Sequence, residues 1–462
     1  MSDALVQGVF GQASGRARMS GRVLGSVLLV VLVCLPPVFG QAPGQGQGGI
    51  LIDAKGVIRK AKRGKLVSRK KLEAAAIANL PADINQPSEL RMVSLTRLEA
   101  ECRTLLEQKK TLPDVVSFLA GLQRIDYVFV LEESKEVVIA GPAEGFARNS
   151  QGVMVGAKSG RAVLRLDDLL QAMRSKEPAI GCSFDADTGR LGQVNRYLQS
   201  VGAADSVGAA KARYKKMVQM LGLQNVTLFG VEPTSHFAKT LVEADFVMKR
   251  ISVGLDKSRV KGVKSFLQLK GAGSNSMRRW WFTTNYDSLE HNEDKTMWKL
   301  NGQRVQVLSQ DEIVDNQGNR SAANQKRQST EAFAAQFTTH YEALAKAHPA
   351  LAQLQNVFDL VVAVGLMRQE NLYQQAGWEP KEFLDPKAIP TDEFNVAKQV
   401  PSVSNSLSQG KYQVIGVVGG GVKCEPGRVL RSVKTVVNPR IASVCRSTRT
   451  ADDSDRWWWD SE

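Results

Sequence analysis

The sequence is poor in the residues on which most enzymes and metal proteins depend. Its 462 residues include 4 histidines and 5 cysteines. It contains no CxxC pair, no cysteine and histidine spacing that suits zinc, and no GxSxG turn of the kind that exposes a hydrolase serine. The glycine-rich run at 418–422 lacks the lysine of a P-loop and the glycine order of a dinucleotide site. These absences favour no common catalytic class, and we expect neither a metal nor a cofactor.

The composition is otherwise that of a folded protein with a sizeable core. Hydrophobic residues make up 43% of the chain and charged residues 23%, which is normal for a globular protein. The length suggests two or three domains. The formal net charge is +15, an excess that favours anionic partners.

The N-terminus carries a three-part export pattern. An apolar run at 27–35 is followed by small or permissive residues up to Gly40. We therefore predict cleavage after Gly40 and an exported mature protein, with Met19 as an alternative start. The apolar run is much shorter than the roughly 20 residues that span a bilayer, which disfavours a retained anchor. The basic region before the run contains Arg16, Arg18 and Arg22.

Removal of residues 1–40 leaves an even number of cysteines. In an oxidising compartment they permit two disulfides, with three pairings to choose from. Buried free thiols are the alternative. The apolar neighbours of Cys102 and Cys182 predict that both face the core, one on a helix and one on a strand. The cysteines in question are Cys102, Cys182, Cys424 and Cys445.

A dense positive segment follows the predicted cleavage site. Nine of the 17 residues from 55 to 71 are lysine or arginine. Such a segment favours binding to an anionic polymer or membrane surface, and a solvated lead is the alternative. No specific nucleic-acid motif accompanies it. The residues to which we assign anionic-surface binding are Lys60, Lys62, Arg63, Lys65, Lys70 and Lys71.

Mixed helices and antiparallel hairpins, without regular βαβ alternation, predict an α+β fold in two blocks. The blocks are residues 72–176 and 177–375, after a signal peptide (1–40) and a basic lead segment with a short hairpin (41–71). A linker or extended loop (376–410), a β segment (411–446) and a tail (447–462) complete the chain.

Two local patterns make sharper predictions. Asn301-Gly302 separates two β-rich runs and predicts a tight hairpin turn there, because both residues tolerate positive φ. Pro233-Thr234 opens a helix with an apolar stripe and with its charges mainly off that stripe, which predicts an amphipathic helix. The stripe residues are Phe237, Leu241, Ala244, Met248 and Ile251.

Three groups of residues are candidate sites. His236 follows a predicted strand and begins a helix, a place where functional groups often lie in α/β units; a structural histidine is the alternative. A polar cluster in a predicted loop has the ligand types of a divalent-cation site, and a solvated acidic loop is the alternative. Aromatic residues near 280–300 favour either stacking on sugars or bases, or core packing. The cluster is Glu290, His291, Glu293 and Asp294, and the aromatic residues are Trp280, Trp281, Tyr286 and Trp298.

Two weaker patterns favour purely structural interpretations. Residues 185–189 resemble the start of a calcium loop but lack its later ligands, so we predict a simple turn. The glycines at 419–421 predict a bulge or close packing within a strand.

Several motifs in order resemble a known family. They are GGILIDAKGV (48–57), DYVF (126–129), AGPAEG (140–145), PTSHFA (233–238), VEADF (242–246) and WFTTNY (281–286). Together they resemble a planctomycete family of exported proteins of unknown function, DUF1598-like, over roughly residues 48–370. The resemblance implies export but no known activity and no catalytic residue.

The sequence leaves two functions open. The first is a non-enzymatic exported protein that binds or scaffolds a ligand at the cell envelope or outside the cell. The second is an exported hydrolase that uses His236 or the cluster from Glu290 to Asp294. A pocket that joins His236 to a carboxylate and a nucleophile favours the hydrolase, and a histidine enclosed by packing favours the binding protein.

Overall fold

The structure is a computed structural model that describes residues 50–53, 56–60, 67–201, 206–269, 277–324, 327–409, 412–445 and 456–461. The α-helices in these ranges are α1 (Arg69–Asn79), α2 (Leu95–Glu107), α3 (Asp114–Ser117), α4 (Leu166–Arg174), α5 (Thr188–Val201), α6 (Val207–Leu221), α7 (His236–Ser252), α8 (Gln328–Thr339), α9 (Tyr341–Ala347), α10 (Pro349–Gln369), α11 (Leu372–Gln375), α12 (Lys381–Leu384), α13 (Pro426–Ser432) and α14 (Ile441–Cys445). Short 3-10 turns lie at Leu119–Gly121 and Phe266–Gln268.

The strands are β1 (Ile50–Ile52), β2 (Ile58–Lys60), β3 (Ser88–Ser94), β4 (Tyr127–Leu131), β5 (Glu136–Ala143), β6 (Phe146–Arg148), β7 (Met154–Gly156), β8 (Ile180–Ala186), β9 (Leu223–Phe229), β10 (Met277–Asn285), β11 (Ser288–His291), β12 (Met297–Asn301), β13 (Arg304–Val314), β14 (Arg320–Ala322), β15 (Gln399–Pro401), β16 (Ser404–Gln409), β17 (Tyr412–Cys424), β18 (Lys434–Val437) and β19 (Trp458–Asp460). An eight-stranded sheet has the order β14-β13-β10-β17-β8-β9-β15, with β16 paired to β17. A seven-stranded sheet has the order β18-β11-β12-β4-β5-β3-β19.

These helices and mostly antiparallel sheets confirm the α+β prediction. Both sequence blocks contribute to the seven-stranded sheet, because β3 to β5 come from 72–176 and β11 and β12 from 177–375. The described residues accordingly belong to one compact unit, Gly44–Glu462.

A long bent hairpin between residues 277 and 314 joins the two sheets. Its outer part pairs β10 with β13 in the eight-stranded sheet, and its inner part pairs β11 with β12 in the seven-stranded sheet. The turn lies at 292–296, where the Asn292 side chain accepts a hydrogen bond from Met297 N at 3.0 Å and donates one to Thr296 Oγ1 at 2.8 Å. The predicted turn at Asn301-Gly302 is therefore wrong.

Asn301 and Gly302 instead mark the bend where the hairpin passes between the sheets. Gly302 has φ +125°, and a Cβ there would lie 2.7 Å from Asp287 N. The buried Arg304 holds the bend by donating to Gly302 O, Asp359 Oδ1 and Asp126 Oδ1 at 2.7, 2.7 and 2.8 Å. The Asn-Gly dipeptide indicates a backbone with positive φ. Both a bend and a tight hairpin turn require that conformation, so the dipeptide does not distinguish them.

Helix α7 is buried on every side, so the amphipathic prediction is wrong. Its apolar stripe is buried as expected, yet Lys239, Glu243, Asp245 and Lys249 are also buried, with exposed fractions of 8%, 2%, 0% and 1%. The reason is its position, since α7 packs on β17, β8 and β10 and is covered by α4 and α10.

Helix α10 is the other central helix. By length and composition alone it is the one helix among the described residues that could cross a membrane, but most of it is buried within the protein. The apolar side chains of α10 are distributed around all of its faces, which is the pattern of a helix in the middle of a large core.

The segment 376–409 and the end of the tail both pack against the core. Trp378 and Phe383 are buried, and the Glu99 carboxylate accepts hydrogen bonds from Trp378 Nε1 at 2.7 Å and Phe383 N at 2.8 Å. Strand β19 pairs with β3 and brings Asp460 to the buried Arg91, 2.8 Å from its Nε. Proline and serine predicted a linker or extended loop here, and the segment also contains α12, β15 and β16; composition does not show whether such a backbone is packed.

The described cysteines are buried free thiols. Cys102, Cys182 and Cys424 are free, with exposed fractions of 0%, 2% and 1%. The prediction that Cys102 and Cys182 face the core is confirmed. Burial raises the pKa of the Cys102 thiol to about 12. The Cys445 side chain lies outside the described residues.

Candidate functional site

His236 begins α7, after the turn that follows β9. Ser235 caps the helix, because its Oγ accepts a hydrogen bond from Ala238 N at 3.0 Å. The same hydroxyl donates to Glu232 O at 2.7 Å. The helix thus starts where the sequence predicted, and the adjacent serine is fully engaged by backbone.

Both ring nitrogens of His236 contact buried side chains. Nδ1 lies 2.9 and 3.0 Å from the two carboxylate oxygens of Asp168 on α4. Nε2 lies 2.9 Å from Gln353 Nε2 on α10. The side chain is 2% exposed, and the Phe394 ring packs edge-on against it at 5.2 Å. The imidazole therefore ties α4, α7 and α10 together and presents neither nitrogen to solvent.

These contacts fit a neutral imidazole. Nδ1–H donates to Asp168, so Nε2 is left to accept from the Gln353 amide. Burial lowers the pKa of His236, and the Asp168 charge opposes this only in part. A general base needs a nitrogen within reach of its nucleophile, whereas Ser235 faces the backbone. His236 meets a carboxylate, as the hydrolase alternative required, but no nucleophile among the described residues.

Further along α7, two ion pairs lie within the core. Lys239 Nζ is 2.6 Å from Glu243 Oε1, and Lys249 Nζ is 2.8 Å from Asp245 Oδ2. Burial lowers the pKa of Lys249 and raises the pKa values of Asp245 and Glu243, and within each pair the partner's charge opposes the shift. The Lys249 ammonium also lies 3.8 Å from the centre of the Phe184 ring.

The glycine run on β17 makes room for the second pair. A Cβ at Gly420 would lie 2.2 Å from Asp245 Oδ1 and 2.5 Å from Lys249 Cε. The structure shows close packing at Gly420 and Gly421, whereas a Cβ at Gly419 would meet nothing closer than 3.7 Å. Charges spaced i, i+4 on the helix and glycines on the strand were both visible in the sequence, but nothing in it indicated that they face each other.

The residues of the predicted cation cluster point in different directions. Glu290 accepts hydrogen bonds from two asparagine side chains, and His291 is buried against the Trp298 ring at 4.7 Å. Glu293 and Asp294 are exposed in the hairpin turn. Within the described ranges, no group of three or more His, Cys, Asp or Glu side chains could hold a metal ion.

The structure also shows where the residues of the predicted turn at 185–189 and of the aromatic group lie. Asp187 Oδ1 accepts from Arg190 N at 2.9 Å in the first turn of α5, which is local capping and not a calcium loop. Trp280 lies in one sheet and Trp298 in the other, and both are buried. Trp281 is half-buried on the opposite face of β10 and lines a cavity.

Only part of the basic lead segment can be placed. Lys70 and Lys71 are exposed in the first turn of α1. Lys62, Arg63 and Lys65 lie outside the described residues, as does the Lys60 side chain. The prediction of anionic binding by this segment stays a prediction.

A basic cleft that sequence reasoning missed lies at the far end of α7. Its cavity has a volume of about 550 Å³ and is bounded by the end of α7, residues 253–268 and β16. Lys257, Arg259 and Lys261 line it and are exposed, and the exposed Lys264 follows on the same loop. We call residues 253–265 the basic loop. Its alternating cations were a readable signal, but they are sparser than those of the lead segment.

The basic loop is held in place along its length. His348 Nε2 lies 2.8 Å from Ser258 O, and Arg259 Nη1 donates to Ala347 O at 3.2 Å. Lys264 N donates to Gln336 Oε1 at 3.1 Å. These contacts attach the loop to α8, to the end of α9 and to the residue before α10, so its backbone does not need to be ordered when a ligand binds.

The charge of the basic loop is largely uncompensated. Its one acid, Asp256, is bonded to Arg250 on α7 at 2.8 Å. The side chains of Lys257, Lys261 and Lys264 form no ion pair with any described residue. The cleft therefore presents positive charge to solvent.

Residues 182–266 match a family described as a protein of unknown function (DUF1598). The matched segment runs from β8 to the end of the basic loop and includes His236 and the buried ion pairs of α7. It is shorter than the span of 48–370 over which the motifs predicted a resemblance. No curated protein and no solved structure is significantly similar to the chain.

Proposed function

We propose that the chain is an exported, non-enzymatic binding protein that holds an anionic polymer at the cell envelope or outside the cell. The basic loop carries this proposal. Lys257, Arg259 and Lys261 line a cavity of about 550 Å³ on a loop that is already fixed by hydrogen bonds. Fixed cations without acidic partners contribute a more favourable electrostatic free energy of binding to a polyanion than cations already neutralised within the protein.

The expected affinity depends on salt. A polyanion carries condensed counterions, and each cation that neutralises one of its charges releases them. Binding through the cleft should therefore weaken steeply as ionic strength rises. The basic lead segment would add to the same attraction, since about 1 kcal/mol is gained for each basic residue near an anionic surface.

The N-terminal pattern supports export, and so does the resemblance to exported planctomycete proteins. The surroundings of His236 support a non-enzymatic role, because Asp168 and Gln353 occupy both ring nitrogens. The scattered cluster around Glu290 supports it as well.

The test is elution from heparin in a salt series. The protein is compared with a variant that lacks three cations of the basic loop and with a control that loses the same charge elsewhere, at exposed lysines. We expect the loop variant to elute at lower salt, with the slope of log K against log salt reduced by about 0.7–0.9 for each lost contact. The loop variant is Lys257→Gln, Lys261→Gln and Lys264→Gln, and the control is Lys110→Gln, Lys176→Gln and Lys387→Gln.

The control should elute close to the unmodified protein. If both variants shift equally, retention reflects net charge alone and the cleft is not the binding site. If neither shifts, the proposal is wrong for this loop.

A further inference from the structure

A second cavity, of about 780 Å³, lies along the edge of β13, beside α8. Strand β14 covers β13 only at Glu312–Val314. Val307 N, which points away from β10, donates to Thr338 Oγ1 at 2.9 Å, and Asp311 O accepts from Ala323 N at 2.8 Å. The strand edge is thus closed at both ends of the cavity and open between them.

Ser309 lies in this opening. Backbone groups of alternate residues point to the same side of an antiparallel strand, so Ser309 N–H and C=O face the cavity as those of Val307 and Asp311 do. Within the ranges that the structure describes, no group bonds to either. The cavity therefore offers one unpaired backbone donor and one unpaired acceptor.

The side chains around the opening are an aromatic ring, neutral polar groups and two acids, Asp311 and the exposed Glu331. Trp281 stands on β10 between Leu308 of β13 and Gly421 of β17, and it lines the cavity. Trp281 Nε1–H, the Gln310 amide and the Thr339 hydroxyl have no hydrogen-bond partner in the described part of the chain. Of the two lining acids, Asp311 is already bonded to Arg327 N at 2.7 Å and Thr330 Oγ1 at 3.0 Å.

The length of the opening selects the size of the ligand. From Val307 to Asp311 a strand rises about 13 Å, at roughly 3.3 Å per residue. An added strand of ordinary length, about five or six residues, would run into Thr338 or Ala323. The opening suits a compact ligand that carries several hydroxyl groups and an apolar ring face.

We propose that this cavity binds a neutral saccharide. One sugar ring packs against Trp281, and its hydroxyl groups bond to the Ser309 backbone, Gln310 and Thr339. An aromatic ring supplies the apolar contact, and neutral amides, hydroxyls and backbone groups bond hydroxyls. The lining acids Asp311 and Glu331 disfavour an anionic ligand. This site is separate from the basic loop and does not depend on the function proposed for it.

The test is calorimetric titration of the full chain with three neutral disaccharides: cellobiose, maltose and N,N′-diacetylchitobiose. We expect saturable binding of at least one of them. Trp281→Ala should weaken that binding at least about tenfold, which corresponds to about 1.4 kcal/mol, and Trp281→Phe should retain most of it. Far-UV circular dichroism and thermal melting establish that each variant is folded.

The basic-loop variant Lys257→Gln, Lys261→Gln and Lys264→Gln is the matched control and should bind the disaccharide unchanged. The proposal is overturned if none of the three disaccharides binds, or if Trp281→Ala binds as tightly as the unmodified protein. A capped alanine–serine peptide is titrated in parallel. If the peptide binds and the sugars do not, the opening is a site for strand addition and the saccharide proposal is wrong.

Discussion

Removing one member of the buried Asp245–Lys249 pair is expected to make the stability strongly pH-dependent. The two side chains are 2.8 Å apart and have exposed fractions of 0% and 1%. Lys249→Met keeps the length of the side chain and removes its charge. Asp245 must then either stay ionised without a partner in the core or bind a proton. Because an unpaired buried charge costs more, we expect the carboxyl to be protonated.

The cost of protonating Asp245 follows from the ordinary aspartate pKa of 3.8. A pH of 7 is about three units above the pKa of this carboxyl in the unfolded chain, and protonating it costs about 1.4 kcal/mol for each unit. Lys249→Met should therefore lower the free energy of unfolding by about 4 kcal/mol at pH 7. Since the variant's folded-state pKa is raised, the loss grows as pH rises and nearly disappears as pH falls towards 4.

Asp245→Asn should show the opposite dependence. Lys249, with an ordinary pKa of 10.5, must then give up its proton in the folded state, at a cost of about 5 kcal/mol at pH 7. Here the folded-state pKa is depressed, so the loss shrinks as pH rises towards 10. The double variant has neither charge of this pair, and its stability relative to the unmodified protein should vary little with pH.

Urea unfolding, followed by circular dichroism between about pH 5 and 9, measures these differences. The double variant should be more stable than either single variant, because replacing both members of a buried pair is usually far less costly than removing one. Two results would refute the reasoning: a Lys249→Met loss below about 1 kcal/mol, or a loss that does not change with pH. Either would mean that water reaches the pair.

Four further predictions concern other parts of the chain. Gly420→Ala should destabilise the fold by about 1–3 kcal/mol in thermal melting, because its Cβ would lie 2.2 Å from a carboxylate oxygen of the buried pair, whereas Gly208→Ala, whose nearest neighbour would be 3.9 Å away, should not. Asp460→Asn leaves the buried Arg91 without its counter-charge and should lower the free energy of unfolding by about 3 kcal/mol, measured by urea unfolding. N-terminal sequencing of the protein from its native host should find Gln41 first, and a chain that still begins at Met1 or Met19 would disprove cleavage after Gly40. Neutralising the lead segment should reduce salt-sensitive retention on heparin and anionic vesicles, and unchanged elution would make it only a solvated lead; the variant changes Lys60, Lys62, Arg63, Lys65, Lys70 and Lys71 to glutamine.

Local patterns predicted the individual elements well. Cys102 on α2 and Cys182 on β8 lie on the buried faces that their apolar neighbours indicated. Trp280 and Trp281 illustrate the limit of such patterns. Alternation required that the two rings face opposite sides, but it did not show which ring is buried or that the other lines a cavity.

The candidate site was predicted only in part. The sequence placed His236 at the start of a helix after a strand, because both elements have local signatures. Its partners Asp168 and Gln353 are 68 and 117 positions away in the chain, and no local pattern connects them. The basic loop was missed for the same reason, since its cations gain significance only from the cavity and from the contacts to α8, α9 and His348.

Composition and local periodicity by themselves determined the α+β class and the burial of Cys102 and Cys182. These properties depend on neighbours within a turn or a strand, which the sequence contains directly. Only the tertiary structure decided that the hairpin bends at Gly302 rather than turning there, and that the charges of α7 are buried. Those outcomes depend on which distant surfaces meet, and the free energy of burying a charge or bending a strand is set by residues that are remote in sequence.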